Sequence, residues 1–261
     1  MFPEFLEIAK IAAIKSGRII LEYFNKDLVF EEKKDKTFVS IADKESEEII
    51  KKTILDKFPK HSIIGEETGK SDNSREFIWH IDPLDGTSNF KNKIPYCCVS
   101  IGLENNGKFI LGVIYNPFLD ELYHAEEGNG AYLNEKRIHV NNQLLSEGII
   151  VIDSSFSGKR AEIKSVMLKD LTRLTSRFRM TGSNALQLAE LSKGSYYASI
   201  SDHLNSYDFI AGLVIAKEAG AIVTDQYGNS PSTNSKVIIA SNNKVNHEIL
   251  ISLAKKYYSE Y

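Results

Sequence analysis

The stretch Ile81 to Phe90, IDPLDGTSNF, decides how the rest of the chain is read. It packs two carboxylates, a proline, a glycine and three hydroxyl or amide side chains into one decapeptide. The preceding Glu76 to Ile81 (EFIWHI) has the apolar character of a strand. Pro83 fixes its own φ and biases Asp82 toward extended backbone. Asp82-Pro83-Leu84-Asp85 is therefore expected to form a tight turn that brings both carboxylates to one side. Gly86 permits a backbone geometry that other residues resist. Thr87, Ser88 and Asn89 are all good helix N-cap types. Strand, acidic turn and helix start together make a cation site beside free backbone N–H groups, and a phosphate bridging the two is the fitting ligand. D-P-x-D-G is equally the pattern of an ordinary surface turn, because turns use Asp, Pro and Gly for local reasons. The apolar strand leading in, and carboxylates placed elsewhere, favour the site.

The whole chain narrows the choices. At 261 residues it can bury a substantial core, as one large domain or two small ones. Hydrophobic content of 42% and charged content of 26% are those of a soluble globular protein. A net charge of -3 gives no reason to expect nucleic acid or an anionic membrane as partner. No apolar run approaches the ~20 residues that a membrane helix needs. The start, MFPEFLEIAK, lacks a basic n-region and does not resemble a signal peptide. Cys97 and Cys98 are adjacent in an expected strand, so they point to opposite faces and cannot form an ordinary disulfide. That fits a reducing compartment, the cytosol. The histidines show no zinc-ligand spacing, so a metal here is expected on oxygen ligands.

Outward from the central stretch, Pro3 to Phe24 carries apolar residues at helical spacing, with Gly17 marking close packing against a neighbour. Glu31 to Ser40 is polar and then extended, and Lys33, Lys34, Asp35 and Lys36 fit a solvated loop. Asp43 opens a helix that runs to about Phe58, either as its N-cap or as a functional acid. Gly65-Glu66-Glu67 follows a short strand. Two adjacent acids there repel unless a cation sits between them, or they lie on an exposed loop. Asn105-Asn106-Gly107 is a strong hairpin signal between two strands. The Asn141-Asn142-Gln143 region is the expected boundary between a hairpin-rich half, 1–142, and an alternating α/β half, 143–261. In the second half, Ser183 caps a helix to Leu191. Asp208 begins an almost wholly apolar helix, as an N-cap or as a carboxylate aimed into a cleft.

With these residues laid out, the sequence resembles the inositol monophosphatase family of metal-dependent sugar phosphatases. The resemblance rests on GEE at Gly65 to Glu67, WHIDPLDGTSNF at Trp79 to Phe90, and SYDFIAGLVIAKEAGAIVTD at Ser206 to Asp225. It implies one continuous phosphatase unit with a layered αβαβα sandwich, its N-terminal sheet antiparallel and its C-terminal sheet mixed. It implies Mg²⁺, two to three ions with Mn²⁺ as a substitute, on Glu66, Asp82, the Leu84 carbonyl, Asp85 and Asp208, with Glu67 beside them and Asp35 as a weaker contact. It implies a Thr87–Asp43 pair that orients the attacking water, and Gly86, Thr87 and Ser88 as donors to the phosphate. Cytoplasmic homodimers acting on small phosphate esters are what the family leads one to expect. Inositol 1-phosphate and fructose 1,6-bisphosphate are the expected substrates; a 3′(2′),5′-bisphosphate nucleotidase and a catalytically silent metal or phosphate binder are the alternatives. The family's aromatic-Asp pair reads Tyr207-Asp208 here, and Phe38 stands where a loop proline is usual. Ser201 replaces the glutamate that holds ring hydroxyls in inositol-specific members. Arg177 and Arg179 are candidates for a second phosphate, or surface charges on a strand edge.

Overall fold

The structure is a computed structural model that describes residues 3–32, 38–71, 73, 75–153 and 158–258. The first helix, α1, spans Pro3–Phe24, and Gly17 lets it lie against Tyr115, whose ring occupies the space a Cβ would need. Two short strands, β1 (Glu31–Glu32) and β2 (Phe38–Val39), pair antiparallel ahead of α2 (Ile41–Lys57). Then come β3 (Ser62–Gly65), β4 (Gly69–Lys70), β5 (Phe77–Asp85) and the short helix α3 (Thr87–Lys91). Next are β6 (Cys98–Asn105), β7 (Lys108–Asn116), β8 (Glu121–Glu126), β9 (Gly130–Leu133) and β10 (Lys136–Ile138). These build one eight-stranded sheet in the order β10-β9-β8-β7-β6-β5-β3-β4. Every pairing in it is antiparallel except β3 with β5. The β6–β7 hairpin turns on Asn106 and Gly107, both at positive φ, as its Asn-Gly pair demands.

The second sheet is mixed. It consists of β11 (Ile150–Ile152), β12 (Phe178–Met180), β13 (Ala198–Asp202), β14 (Ile222–Thr224) and β15 (Val237–Ser241), in the order β12-β11-β13-β15-β14. The pairs β11–β12 and β11–β13 are parallel and the other two antiparallel. Helices α4 (Gly158–Leu171), α5 (Asn184–Ser192), α6 (Ser206–Glu218) and α7 (Lys244–Tyr257) complete the chain.

Three apolar clusters show how the layers stack. One joins α1 and α2 to a face of the first sheet through Ala9, Ile50, Trp79 and Val99. The second fills the space between the sheets with α5 and α6, through Leu186, Phe209, Ile114 and Ile238. The third packs α4 and α7 on the outer face of the second sheet, through Met167, Leu250 and Ile200. The result is the expected αβαβα sandwich. Cys97 and Cys98 face different clusters and are both free. Among the described residues, no helix is long and apolar enough to cross a membrane.

The central stretch departs from the expected turn. Asp82 to Asp85 is the end of β5, paired with β6 as Asp82↔Ser100 and Asp85↔Cys98 with an irregularity between them. Pro83 lacks an N–H to give a ladder, and the irregularity removes the need for one. The chain turns one residue later, at Gly86, whose φ of 100° is left-handed. There the site for a Cβ is blocked by Cys97 and by the Tyr96 carbonyl.

Candidate active site

Four segments supply the carboxylates that the central stretch calls for. Asp82 and Asp85 come from the end of β5. Glu66 follows β3, and its N–H donates to the Ile81 carbonyl (3.1 Å), which fastens the Gly65-Glu66-Glu67 turn beside the central strand. Asp43 sits in the first turn of α2 and Asp208 in the first turn of α6. Asp35 lies outside the described residues.

Each carboxylate is held by groups that can be traced. Asp82 accepts the Leu84 N–H at 3.0 Å. Asp85 is capped from the other half of the chain: Ser183 Oγ (2.5 Å), Asn184 N (3.2 Å) and Ala185 N (2.7 Å) all donate to it. The start of α5 is thus anchored on the central stretch, because a helix N-terminus presents unsatisfied N–H groups that suit an anion. Ser183 also serves as the helix cap, its Oγ accepting from Leu186 N (3.4 Å).

The caps of α2 and α6 are not the aspartates themselves. Ser40 is the N-cap of α2, and Asp43 is the third helical residue, completing a capping box by accepting Ser40 N and Ser40 Oγ, both at 2.7 Å, on its Oδ2. Asn205 precedes α6, and its N–H donates to Asp208 Oδ2 at 2.6 Å. The other oxygen of Asp43, Oδ1, accepts from Thr87 Oγ1 at 3.3 Å, and the same hydroxyl lies 3.1 Å from the Leu84 carbonyl.

Clustering shows in the acidities. Burial first, then the charges of Glu66, Asp85 and Asp208, push Asp82 well above the ordinary carboxylate range. Asp208 is raised by burial of its carboxyl and by Glu66 and Asp85, with the Asn205 N–H opposing. Burial raises Asp85 to about 6 despite the three donors from α5, which pull the other way. Burial likewise raises Asp43 to about 6, opposed by its bonds to Ser40. Glu66, Asp82, Asp85 and Asp208 therefore share one electrostatic neighbourhood. Among the described residues, no three Asp, Glu, His or Cys side chains close into a preformed metal cage.

The other expected residues lie as follows. Glu67 donates its N–H to Glu47 at 2.8 Å. Gly86 and Thr87 are half-buried and Ser88 is exposed on α3. Ser201, on β13, is buried with its Oγ 3.4 Å from Gln187 Oε1. Arg177 and Arg179 are exposed on or beside the edge strand β12, Arg177 donating to the Ser146 carbonyl (3.2 Å) and Arg179 to the Phe178 carbonyl (2.7 Å).

Several supporting residues had no reading as such. Glu47, on α2, is fully buried and accepts Glu67 N and Thr68 N (3.0 Å). It holds the turn that carries Glu66, and Gly65 is required there because a Cβ would land on the Glu47 carboxylate. Asn89 braces α3 by donating to the Tyr96 and Thr181 carbonyls, both at 2.7 Å. The S-x-x-D spacing of Ser40 and Asp43 was a readable signal. The contacts of Glu47 and Asn89 had none.

The sequence model of the inositol monophosphatase family matches residues 3–259. The chain belongs to the inositol monophosphatase family. Within it, the chain is 38% identical to the fructose-1,6-bisphosphatase/inositol-1-monophosphatase of Aquifex aeolicus over 97% of its length and 96% of that protein's. It is 37% identical to the Nus factor SuhB of Vibrio cholerae, over 90% of each chain. The crystal structure of the extragenic suppressor protein suhB from Bartonella henselae superposes with a TM-score of 0.92, at 32% identity, covering 97% of this chain and 99% of that one. Family membership makes the chain a phosphatase that hydrolyses phosphomonoesters.

Proposed function

We propose that the protein is a Mg²⁺-dependent phosphatase of small phosphorylated polyols and sugars, acting on inositol 1-phosphate, fructose 1,6-bisphosphate or both. The convergence of Glu66, Asp85 and Asp208 on Asp82, whose pKa each of them raises, is the observation that carries this reading. Such a group is costly without a cation, and its oxygens suit a hard ion. Mg²⁺ is such an ion, and it keeps waters and shares substrate phosphate oxygens. Glu66, Asp82, the Leu84 carbonyl, Asp85 and Asp208 would hold it, with Glu67 beside them. When bound, it supplies Lewis-acid activation of water and neutralises charge on the phosphate and the departing oxygen.

The chain's own residues do the rest. Thr87 has one hydroxyl proton and two acceptors in reach, Asp43 and the Leu84 carbonyl. Once it donates to Asp43, its lone pairs can accept a hydrogen from the attacking water and orient it in line. Asp43 Oδ2 is already committed to Ser40, so the remaining oxygen has a fixed direction. The N–H groups at Gly86, Thr87 and Ser88, at the start of α3, are the phosphate's donors.

Specificity is assigned to Ser201, Asn89, Arg177 and Arg179. Ser201 has no charge with which to hold ring hydroxyls, which favours a broader substrate range than inositol alone. Asn89 argues against the nucleotidase branch, where a glutamate is usual at this position. A glutamate could not donate to Tyr96 and Thr181 as Asn89 does. Arg177 and Arg179 remain the candidates for a second phosphate. The test is phosphate release from inositol 1-phosphate, fructose 1,6-bisphosphate and adenosine 3′,5′-bisphosphate, with and without Mg²⁺. Turnover of the first or second that needs the metal supports the reading. Preference for the third makes it a nucleotidase, and Mg²⁺ binding without turnover of any ester makes it a silent binder.

A further inference from the structure

A buried polar chain that the proposed mechanism leaves unused ties the two halves together. His80 Nδ1 lies 2.8 Å from Ser206 Oγ, and His80 Nε2 lies 3.0 Å from Glu104 Oε2. All three residues are buried: His80 is 1% exposed, Ser206 8% and Glu104 9%. His80 stands on β5 two residues before Asp82, and Ser206 opens α6 two residues before Asp208. The Glu104 carboxylate can only accept, which assigns the hydrogen to Nε2 and leaves Nδ1 to accept from the Ser206 hydroxyl.

The position of this bond matters because of what α6 otherwise rests on. Apart from its first turn, the helix is almost wholly apolar up to Ala216 and packs on Gly102 and Gly112 of β6 and β7. A Cβ at Gly102 would lie 3.0 Å from Ala211 N, and one at Gly112 would strike the Ala211 carbonyl. Two glycines let helix and sheet approach closely but give no directional contact along the helix axis. Dispersion packing alone is non-directional. Directional bonds hold both ends. At the C-terminal end Glu218 accepts Gly128 N (2.8 Å) and Gly130 N (2.7 Å) from the first sheet. At the N-terminal end, where Asp208 stands, direction comes from His80–Ser206 and from Ser100 Oγ donating to the Tyr207 carbonyl (3.3 Å) on the first sheet, and from Lys236 Nζ, beside β15, donating to the Leu204 carbonyl (3.0 Å).

We infer that His80, oriented by Glu104, is a positioning residue that sets where α6 docks on β5, and so where Asp208 stands relative to Asp82. This rests on the proposed Mg²⁺ site. Hydrogen-bond partners of metal ligands typically govern metal affinity by roughly 10- to 100-fold, and the His80–Ser206 bond, one step further out, is set at the lower end of that range. The clamp should therefore act on the part of the site to which Asp208 contributes and spare the part built on β3 and β5.

The experiment is calorimetric titration of Mg²⁺ into the full metal-free chain. It is run on the wild type, Ser206→Ala, His80→Gln, His80→Asn, Asp208→Asn, and the Ser206→Ala/Asp208→Asn pair, with melting temperatures in EDTA recorded alongside. The binding step that Asp208→Asn abolishes should weaken by about tenfold in Ser206→Ala and His80→Gln, with the other step unmoved. His80→Asn keeps an acceptor at the Nδ1 position and should recover most of the loss. Ser206→Ala should add nothing in the Asp208→Asn background, as coupled sites behave. Equal weakening of both steps in proportion to melting temperature would show a merely structural role and overturn the inference. So would unchanged affinity in Ser206→Ala with normal wild-type binding. Absence of Mg²⁺ binding in the wild type would overturn the proposed function, and the clamp with it.

Discussion

Asp85 offers a quantitative test of the acidic cluster in the metal-free protein. Its carboxyl goes from the ordinary value of 3.8 to about 6 on folding, mainly through burial. A raised carboxyl pKa means that the folded state binds more protons than the unfolded state between those values. Stability then falls as pH rises through the window, and the penalty is complete above the folded value. The difference corresponds to roughly 3 kcal/mol at 1.36 kcal/mol per pKa unit. For a chain of this size that is a shift in melting temperature of roughly 5 to 10 °C. Asp85→Asn removes the charge but also turns one acceptor into a donor facing Ser183, Asn184 and Ala185, which costs about 1–3 kcal/mol at all pH values. The variant should therefore be less stable than the wild type at pH 4 and gain on it steadily toward pH 7. The assay is thermal unfolding in EDTA by circular dichroism at half-unit pH steps. In 10 mM or so of Mg²⁺, a concentration chosen as an order of magnitude for linkage, the wild type should recover stability above pH 6 and the variant should not. A constant gap between variant and wild type from pH 4 to 7 would refute the claim that burial outweighs the three donors and raises the Asp85 carboxyl.

Three further outcomes are expected. Asp43, raised to about 6 by burial, accepts the Thr87 hydroxyl most strongly when ionised, so the rate of phosphate release should fall as pH drops through about 6. A rate still level at pH 5 counts against the Thr87–Asp43 pair. Trp79 is the only tryptophan and donates its indole N–H to His61 Nδ1 at 3.0 Å, while burial lowers the His61 pKa below its ordinary 6.5. Protonation removes that acceptor, so Trp79 fluorescence should step below pH 6.5 in the wild type and not in His61→Leu. The same contact adds stability above pH 6.5 that is lost as pH falls through the lowered value, which urea midpoints will show. Glu47→Gln should cost about 1–3 kcal/mol by weakening the cap on Glu67 and Thr68. Urea denaturation measures it, and a stability within 0.5 kcal/mol or so of wild type, the ordinary surface range, would remove Glu47 as the support of that turn.

What could be read from the sequence was whatever the chain decides locally. The α1 periodicity, the Asn106-Gly107 hairpin and the Ser183 cap all depend on residues a few positions apart, and all stand. Asp82 to Asp85 differs from the expected turn because its conformation is set by a distant strand: β6 pairs with Asp82 and Asp85 and keeps the Asp-Pro segment extended where isolated turn chemistry would bend it. Contacts between distant segments were equally silent, as with Asp85 beneath α5, Glu47 beneath the Glu66 turn, and α6 on two glycines. Asp43 and Asp208 show why the local and functional readings were wrongly opposed. From sequence alone each suits either a helix cap or a functional acid. The geometry makes Asp43 both, with Oδ2 spent on Ser40 and Oδ1 turned to Thr87. A carboxylate has two oxygens, and the bond that holds one to the start of a rigid helix aims the other. The same economy applies at α6, where Asn205 takes Asp208 Oδ2. Placing a repelled, partly desolvated charge at a helix start also sets it against the positive end of the dipole. An acid at the third position of a capped helix is therefore a sounder sequence signal for a pre-aimed carboxylate than an acid at the cap itself, whose side chain is consumed by the backbone.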